Sequence, residues 1–153
     1  MLQKEVAQRI CAKPPEMSLL AVSVQIYGAP SIASYAKKGC FWPQPKVDSA
    51  ILKIVPHKEV QSTIAVVNNG DRISMQQFFQ IVKAGFKQPR KQLLNNLLHG
   101  LSLNMLEARR LTNGGQREFV KQWLRHNNIQ PTQRAETLSI QDWKHLAESF
   151  LQT

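Results

Sequence analysis

Phe41-Trp42-Pro43-Gln44-Pro45-Lys46-Val47-Asp48-Ser49-Ala50 sets two aromatics on a loop stiffened by two prolines, directly ahead of an apolar run. Each proline holds φ near its ring-fixed value and removes a backbone donor, so the segment can neither pair as a central strand nor wind into a helix. It is a rigid bracket. Over residues 50–55, Ala50, Leu52 and Ile54 point to one face and Ile51, Lys53 and Val55 to the other, a two-sided apolar pattern suited to a covered sheet, and Pro56 ends it. Spacing alone leaves two uses open for Phe41 and Trp42: plugging a core beside a turn, or stacking on a ligand.

Before the bracket, Leu2, Val6, Ala7 and Ile10 recur at helical spacing, which predicts a helix over residues 2–13 that Pro14-Pro15 stops. A second helix is predicted over residues 18–27, and residues 31–38 and 48–55 are predicted as two antiparallel strands joined through the bracket. Residues 57–72 have weak periodicity and contain the turn-like Asn68-Asn69-Gly70-Asp71, which places a boundary between a first unit, 1–66, and a second, 67–153.

The second unit reads as helical. Ser74 with Gln77 is a capping box, and Met75, Phe78, Phe79, Val82 and Phe86 then form one stripe. Pro89 suits the first position of the next helix, whose stripe is Leu93, Leu94, Leu97 and Leu98. Asn104 with Glu107 caps a short third helix that ends at Gly114-Gly115, a fourth carries Phe119, Val120, Trp123 and Leu124, and a fifth starts at Ser139 and carries Trp143, Leu146, Ala147, Phe150 and Leu151. A small helical bundle buries all of these stripes.

With 153 residues and 42% hydrophobic content the chain can hold one domain, or a small one beside part of another. Its net charge of +10 favours phosphate-rich partners, although basic chains that bind no nucleic acid are common. No acidic residue lies between Asp71 and Glu107, while Arg72, Lys83, Lys87, Arg90 and Lys91 do, and Lys83 and Lys87 share a helix face. That ridge reads either as a solvated surface or as a phosphate-binding one. Cys11 and Cys40 make neither a zinc site nor a disulfide framework, and His57, His99, His126 and His145 lack metal-ligand spacing, so no metal is expected. No long apolar span or signal peptide is visible; no membrane partner is expected, and a cytoplasmic location is.

The bracket resembles the Phe-x-Pro-x-Pro-Lys-Val-Asp-Ser motif of the rRNA adenine dimethyltransferases. Met1-Leu2-Gln3-Lys4-Glu5-Val6-Ala7-Gln8-Arg9 resembles the segment after that family's catalytic motif, and Val22-Ser23-Val24-Gln25-Ile26-Tyr27 its Leu-Ser-Val-x-x-Gln-x-Tyr region in looser register. Ala84-Gly85-Phe86-Lys87-Gln88-Pro89-Arg90-Lys91-Gln92-Leu93-Leu94-Asn95-Asn96-Leu97 resembles its Phe-x-Gln-Arg-Arg-Lys helix, with Pro89 in the place of one arginine. Arg134-Ala135-Glu136-Thr137-Leu138-Ser139 resembles its Arg-Ala-Glu-x-Leu-Ser.

The resemblance implies a parent enzyme that dimethylates adenines of small-subunit rRNA with S-adenosylmethionine as donor, working on rRNA and the pre-ribosomal small subunit. It implies that Phe41 walls the target-adenine pocket and that Lys83, Lys87, Arg90 and Lys91 contact the rRNA backbone. Trp42, one step along an extended loop, is expected to point away from Phe41 and to contribute packing. Arg134 and Glu136 are expected to pair with each other rather than with RNA.

The family's Gly-rich cofactor turn, its acidic ribose partner and its Asn-Leu-Pro-Tyr motif are all missing from the chain. The expectation is a C-terminal portion that binds no cofactor alone: an α+β fragment comprising the end of a Rossmann-like methyltransferase sheet, two late strands plus helices, followed by a small all-α domain. The alternatives are a non-catalytic helical nucleic-acid-binding or ribosome-assembly module, and a helix-turn-helix reader around Pro89 using Gln92, Asn95 and Asn96.

Overall fold

The run after the bracket does form a strand, and it becomes the middle of a three-stranded antiparallel sheet. The computed structural model describes residues 1–57, 65–68, 71–101 and 113–152, in two compact units, Met1–Thr63 and Ile64–Thr153. The first unit runs β1 (Leu2–Gln3), α1 (Lys4–Ile10), α2 (Leu19–Gln25), β2 (Gly28–Ala36) and β3 (Ser49–Pro56), with sheet order β1-β3-β2.

Helix α1 is shorter than its apolar spacing predicts, because the sheet takes its first residues. Leu2 pairs with Ala50 and Gln3 with Ser49, and the Lys4 N–H donates to the Asp48 carbonyl at 3.0 Å. Those backbone groups are thus satisfied by a strand almost fifty residues away rather than by a helical turn. Helix α2 begins where Ser18 Oγ accepts the Ala21 N–H at 3.2 Å. Inside it, the Gln25 amide donates to Ile10 O and Ala12 O at 2.9 and 2.8 Å, tying the two helices together.

Strands β2 and β3 pair from Gly28↔Pro56 to Ala36↔Ser49, with an irregularity between Ile32 and Ser34. The core beside them is small: Ala7, Ile10, Met17, Ala21, Val22, Ile26 and Ala50. Ile51, Ile54 and Val55 stay about half exposed, so the cover that β3's two-sided pattern calls for is only partly supplied by α1 and α2.

The second unit opens not with a helix but with an antiparallel pair, β4 (Ala65–Asn68) and β5 (Asp71–Ser74), in which Asn68 faces Asp71. The all-α expectation is therefore corrected at its start. The sequence reason is an Asn-Gly at 69–70 between β-branched runs, a hairpin signal stronger than the turn alone. Four described helices follow: α3 (Met75–Gly85), α4 (Leu93–Gly100), α5 (Asn113–His126) and α6 (Ile140–Gln152).

Helix α3 starts on its capping box, with Gln77 N–H to Ser74 Oγ at 3.2 Å and Ser74 N–H to Gln77 Oε1 at 3.3 Å. Helix α4 starts at Leu93, not at Pro89, which lies in the preceding turn. Its unpaired first donors explain this: Leu93 N–H bonds Gln133 O at 2.7 Å and Leu94 N–H bonds Pro131 O at 3.4 Å, so a distant loop caps the helix there. Gly114 and Gly115 do not end a helix but lie in the first turn of α5. The helix expected at Asn104–Glu107 falls outside the described residues. Just past α5 the chain turns through Asn128 at φ 58°. At the start of α6, Ser139 Oγ accepts the Asp142 N–H at 3.2 Å while the Asp142 carboxylate takes the Ser139 N–H at 2.8 Å.

The core of this unit is aromatic and aliphatic, with Phe78, Leu93, Leu97, Trp123, Leu124, Trp143 and Leu146 all buried. Helix α3 packs on α4 and α6, α4 on α5, and α5 on α6.

Candidate nucleic-acid interface

The turn between α3 and α4 carries most of the basic ridge, and its shape follows from a few close contacts. A Cβ added to Gly85 would run into the Trp143 ring, and one added to Gly100 would lie 2.7 Å from Ala84 Cα, so the ends of the two helices meet where only glycine fits. Asn96, buried on α4, donates from Nδ2 to Gly85 O at 2.7 Å and Gln88 O at 2.9 Å. Lys87 Nζ donates to His99 O at 2.8 Å, closing the last turn of α4. Both ends of the turn are pinned.

On this frame Lys83, Lys87, Arg90 and Lys91 are all exposed. Lys83 and Lys87 come together with Gln80, Ala84 and Gly100 around a shallow depression of about 320 Å³, and Arg90 and Lys91 occupy the adjoining turn. Lys83, Arg90 and Lys91 form no ion pair among the described residues. The Arg72 side chain lies outside the described set. Sequence reasoning placed these cations but missed what Lys87 and Asn96 do inside the protein, since neither bond has a local pattern. Asn96 in particular faces inward, which removes it from the base-reading set that a helix-turn-helix reader would need.

In the first unit the bracket is closed at its base. Lys38 N–H donates to Asp48 Oδ1 at 3.0 Å and Cys40 N–H to Lys37 O at 3.0 Å. Phe41 is half-buried, whereas Trp42 is 98% exposed. The packing expected of Trp42 is therefore corrected: its ring meets solvent. Arg134 Nη1 stands 3.6 Å from Glu136 Oε1, the local pair expected there. Burial pushes the Cys11 thiol above its ordinary range, while Cys40, beside Phe41, is exposed.

The described residues do not form the cradle that S-adenosylmethionine takes. Its cradle needs a glycine turn leading from a strand into a helix. The described passages from a strand into an α-helix are Gln3 to Lys4 and Ser74 to Met75, both without glycine, and the described pairings are antiparallel throughout. Among the described residues no three His, Cys, Asp or Glu side chains gather as a metal site would require, and no helix is long and apolar enough to cross a membrane.

A family profile described as ribosomal RNA adenine dimethylase matches residues 1–152. The chain is 42% identical over 151 residues to the ribosomal RNA small subunit methyltransferase A of Dehalococcoides mccartyi (strain CBDB1), a match covering 98% of this chain and 45% of that protein. It is 38% identical over 153 residues to the protein of the same name from Lysinibacillus sphaericus, covering 98% and 46%. The chain thus spans a little under half the length of these curated relatives. Among solved structures, a dimethyladenosine transferase from Plasmodium falciparum superposes with a TM-score of 0.75 at 23% identity, over 98% of this chain and 55% of that one. The 23S rRNA methyltransferase ErmE superposes at 0.57 with 17% identity, over 99% and 52%. At these identities the likeness is one of fold.

Proposed function

The chain belongs to the ribosomal RNA adenine dimethylase family, and from that premise we propose that it supplies the rRNA-binding surface and one wall of the target-adenine pocket to an S-adenosylmethionine-dependent dimethyltransferase of small-subunit rRNA. The observation that carries this reading is the exposed set Lys83, Arg90 and Lys91, which form no ion pair among the described residues, with Lys87, displayed on the last turn of α3 and on the following turn that Asn96 and Lys87 pin. A rigid row of ammonium and guanidinium groups binds a phosphate backbone with little ordering cost. The substrate reading follows the family: rRNA within the pre-ribosomal small subunit, in ribosome biogenesis.

Phe41 belongs to the same proposal. A base that is to be modified must leave its stack, and an aromatic face stabilises the flipped ring. Half-buried on a loop clamped at its base, Phe41 offers such a face from a fixed position. Since the described residues form no cradle for the cofactor, the proposed role of this chain is nucleic-acid binding, with the donor methyl held by other parts of the enzyme.

The test is the salt dependence of binding to a small-subunit rRNA hairpin. Each phosphate contact contributes about one unit to the slope of log affinity against log salt. Removing charge at Lys83, Arg90 and Lys91 together, with Lys87 left in place to keep α4 closed, flattens the slope by roughly three units. An unchanged slope in that variant places the RNA site elsewhere.

A further inference from the structure

The bracket carries more than Phe41. We infer that it is a second RNA contact, in which Trp42 stacks on an unpaired base beside the target nucleotide while Lys38, Lys46 and Lys4 hold an adjoining phosphate.

Trp42 is the starting observation. Trp123 and Trp143 are 1% and 0% exposed, whereas Trp42 is 98% exposed. A large flat ring left wholly in water contributes almost no burial energy to folding, so packing does not explain it. The backbone that carries it is nevertheless held. Pro43 and Pro45 stiffen the loop, and Asp48 staples its two limbs by accepting the Lys38 N–H at 3.0 Å. An aromatic with two χ angles on a held backbone loses little freedom when a base stacks on it.

The second observation is what lies at the base of the same loop. A cavity of about 350 Å³, ample for a phosphate with part of its sugar, is lined by Lys4, Lys38 and Lys46 together with Glu5, Asp48 and neighbouring residues. Three ammonium groups thus face two carboxylates, and one oxygen of Asp48 is already engaged by the Lys38 N–H. None of the three lysines is in an ion pair among the described residues. Lys4 Nζ sits 5.4 Å from the centre of the Tyr35 ring instead. An aromatic platform beside a net positive hollow is the arrangement that binds single-stranded nucleic acid without reading its sequence: the ring takes the base and the ammonium groups take the backbone. The choice of RNA as occupant rests on the functional reading above. The second contact adds the grip on a flanking nucleotide that keeps a flipped base from slipping back.

The 153-residue chain supplies its own reporter, because Trp42 is the one exposed tryptophan of the three. Titration with hexaadenylate is expected to quench the Trp42 emission saturably. Trp42→Ala should weaken binding roughly five- to a hundredfold, with no change in Tm, and Trp42→Tyr should restore most of it. Lys38→Gln with Lys46→Gln should flatten the salt slope by about one to two units.

Binding that an independent mobility assay detects, but that leaves Trp42 emission and the Trp42→Ala affinity unchanged, overturns the bracket contact and leaves the ridge as the RNA site. No binding of any RNA removes both readings. Emission that shifts with protein concentration rather than with RNA shows that a second copy covers the ring, and overturns the proposal as well.

Discussion

The side-chain amide of Asn96 donates to the carbonyl of Gly85 at 2.7 Å, tying the middle of α4 to the last residue of α3. The same amide reaches Gln88 O at 2.9 Å, so one buried side chain sets the path of the turn that displays Lys87, Arg90 and Lys91.

Replacing Asn96 by Ala strands both carbonyls away from a donor and costs about 1–3 kcal/mol, a fall of roughly 5–20 °C in the Tm of a unit this size. RNA affinity should fall with it, because the cations lose their common frame. Asn96→Asp is the sharper variant. An ionised carboxylate facing two carbonyl oxygens is repelled, while a protonated one can donate to one of them, so this variant should regain stability relative to wild type as pH falls below neutrality. A denaturation series at several pH values checks the sign, and a gap that is flat with pH argues against the contact.

Gly100 and Gly114 are expected to respond in opposite ways to Ala. At Gly100 the new Cβ would lie 2.7 Å from Ala84 Cα and 2.9 Å from Ala84 O, backbone atoms that cannot yield cheaply. The strain of about 1–3 kcal/mol outweighs the gain in helix propensity. At Gly114, in the first turn of α5, none of the described residues outside the helix's own backbone and its chain neighbours lies within 4 Å of the added atom. Gly114→Ala should therefore stabilise by about 0.4–1 kcal/mol, as chemical denaturation of the two variants would show.

The two buried tryptophans differ in what their ring N–H finds. Trp123 Nε1 donates to Leu146 O at 3.1 Å and to Ser149 Oγ at 2.9 Å, while Trp143 Nε1 is buried without a hydrogen-bond partner among the described residues. Changing each to Phe removes similar volume. Trp143→Phe also relieves an unsatisfied donor, so it should be the milder change by about 1–3 kcal/mol. Equal losses would mean that the donors are not what distinguishes the sites.

Phe41→Ala, carried in a family member of full length, should lower methylation roughly ten- to a hundredfold through loss of base stacking. Overall rRNA affinity should hardly move, since the ridge is untouched. Comparing single-turnover rate with equilibrium binding separates the two. A drop in affinity alone would make Phe41 an ordinary binding residue.

The features legible in the sequence are those whose physics is complete within a few residues. The Ser74/Gln77 capping box, the start of α6 at Ser139, the prolines that make a bracket of residues 41–45, and the stretch without acidic residues around Lys83 to Lys91 all carry their cause beside them. Local dihedral limits and hydrogen bonds between near neighbours decide such elements, whatever the rest of the chain does.

What only the tertiary structure decided depends on partners far along the chain. Leu2 and Gln3 lie in the stretch predicted as a helix but pair with Ala50 and Ser49. Pro89 is suited to start a helix, yet α4 begins at Leu93 because Gln133 and Pro131 offer carbonyls to its first donors there. Lys87 reads as a free cation and instead closes α4, Asn96 reads as a surface amide and is buried, and Trp42 reads as packing and stands in water. A backbone donor or an apolar ring takes whichever partner folding brings within reach, and residues dozens of positions apart become neighbours only when the elements between them have packed.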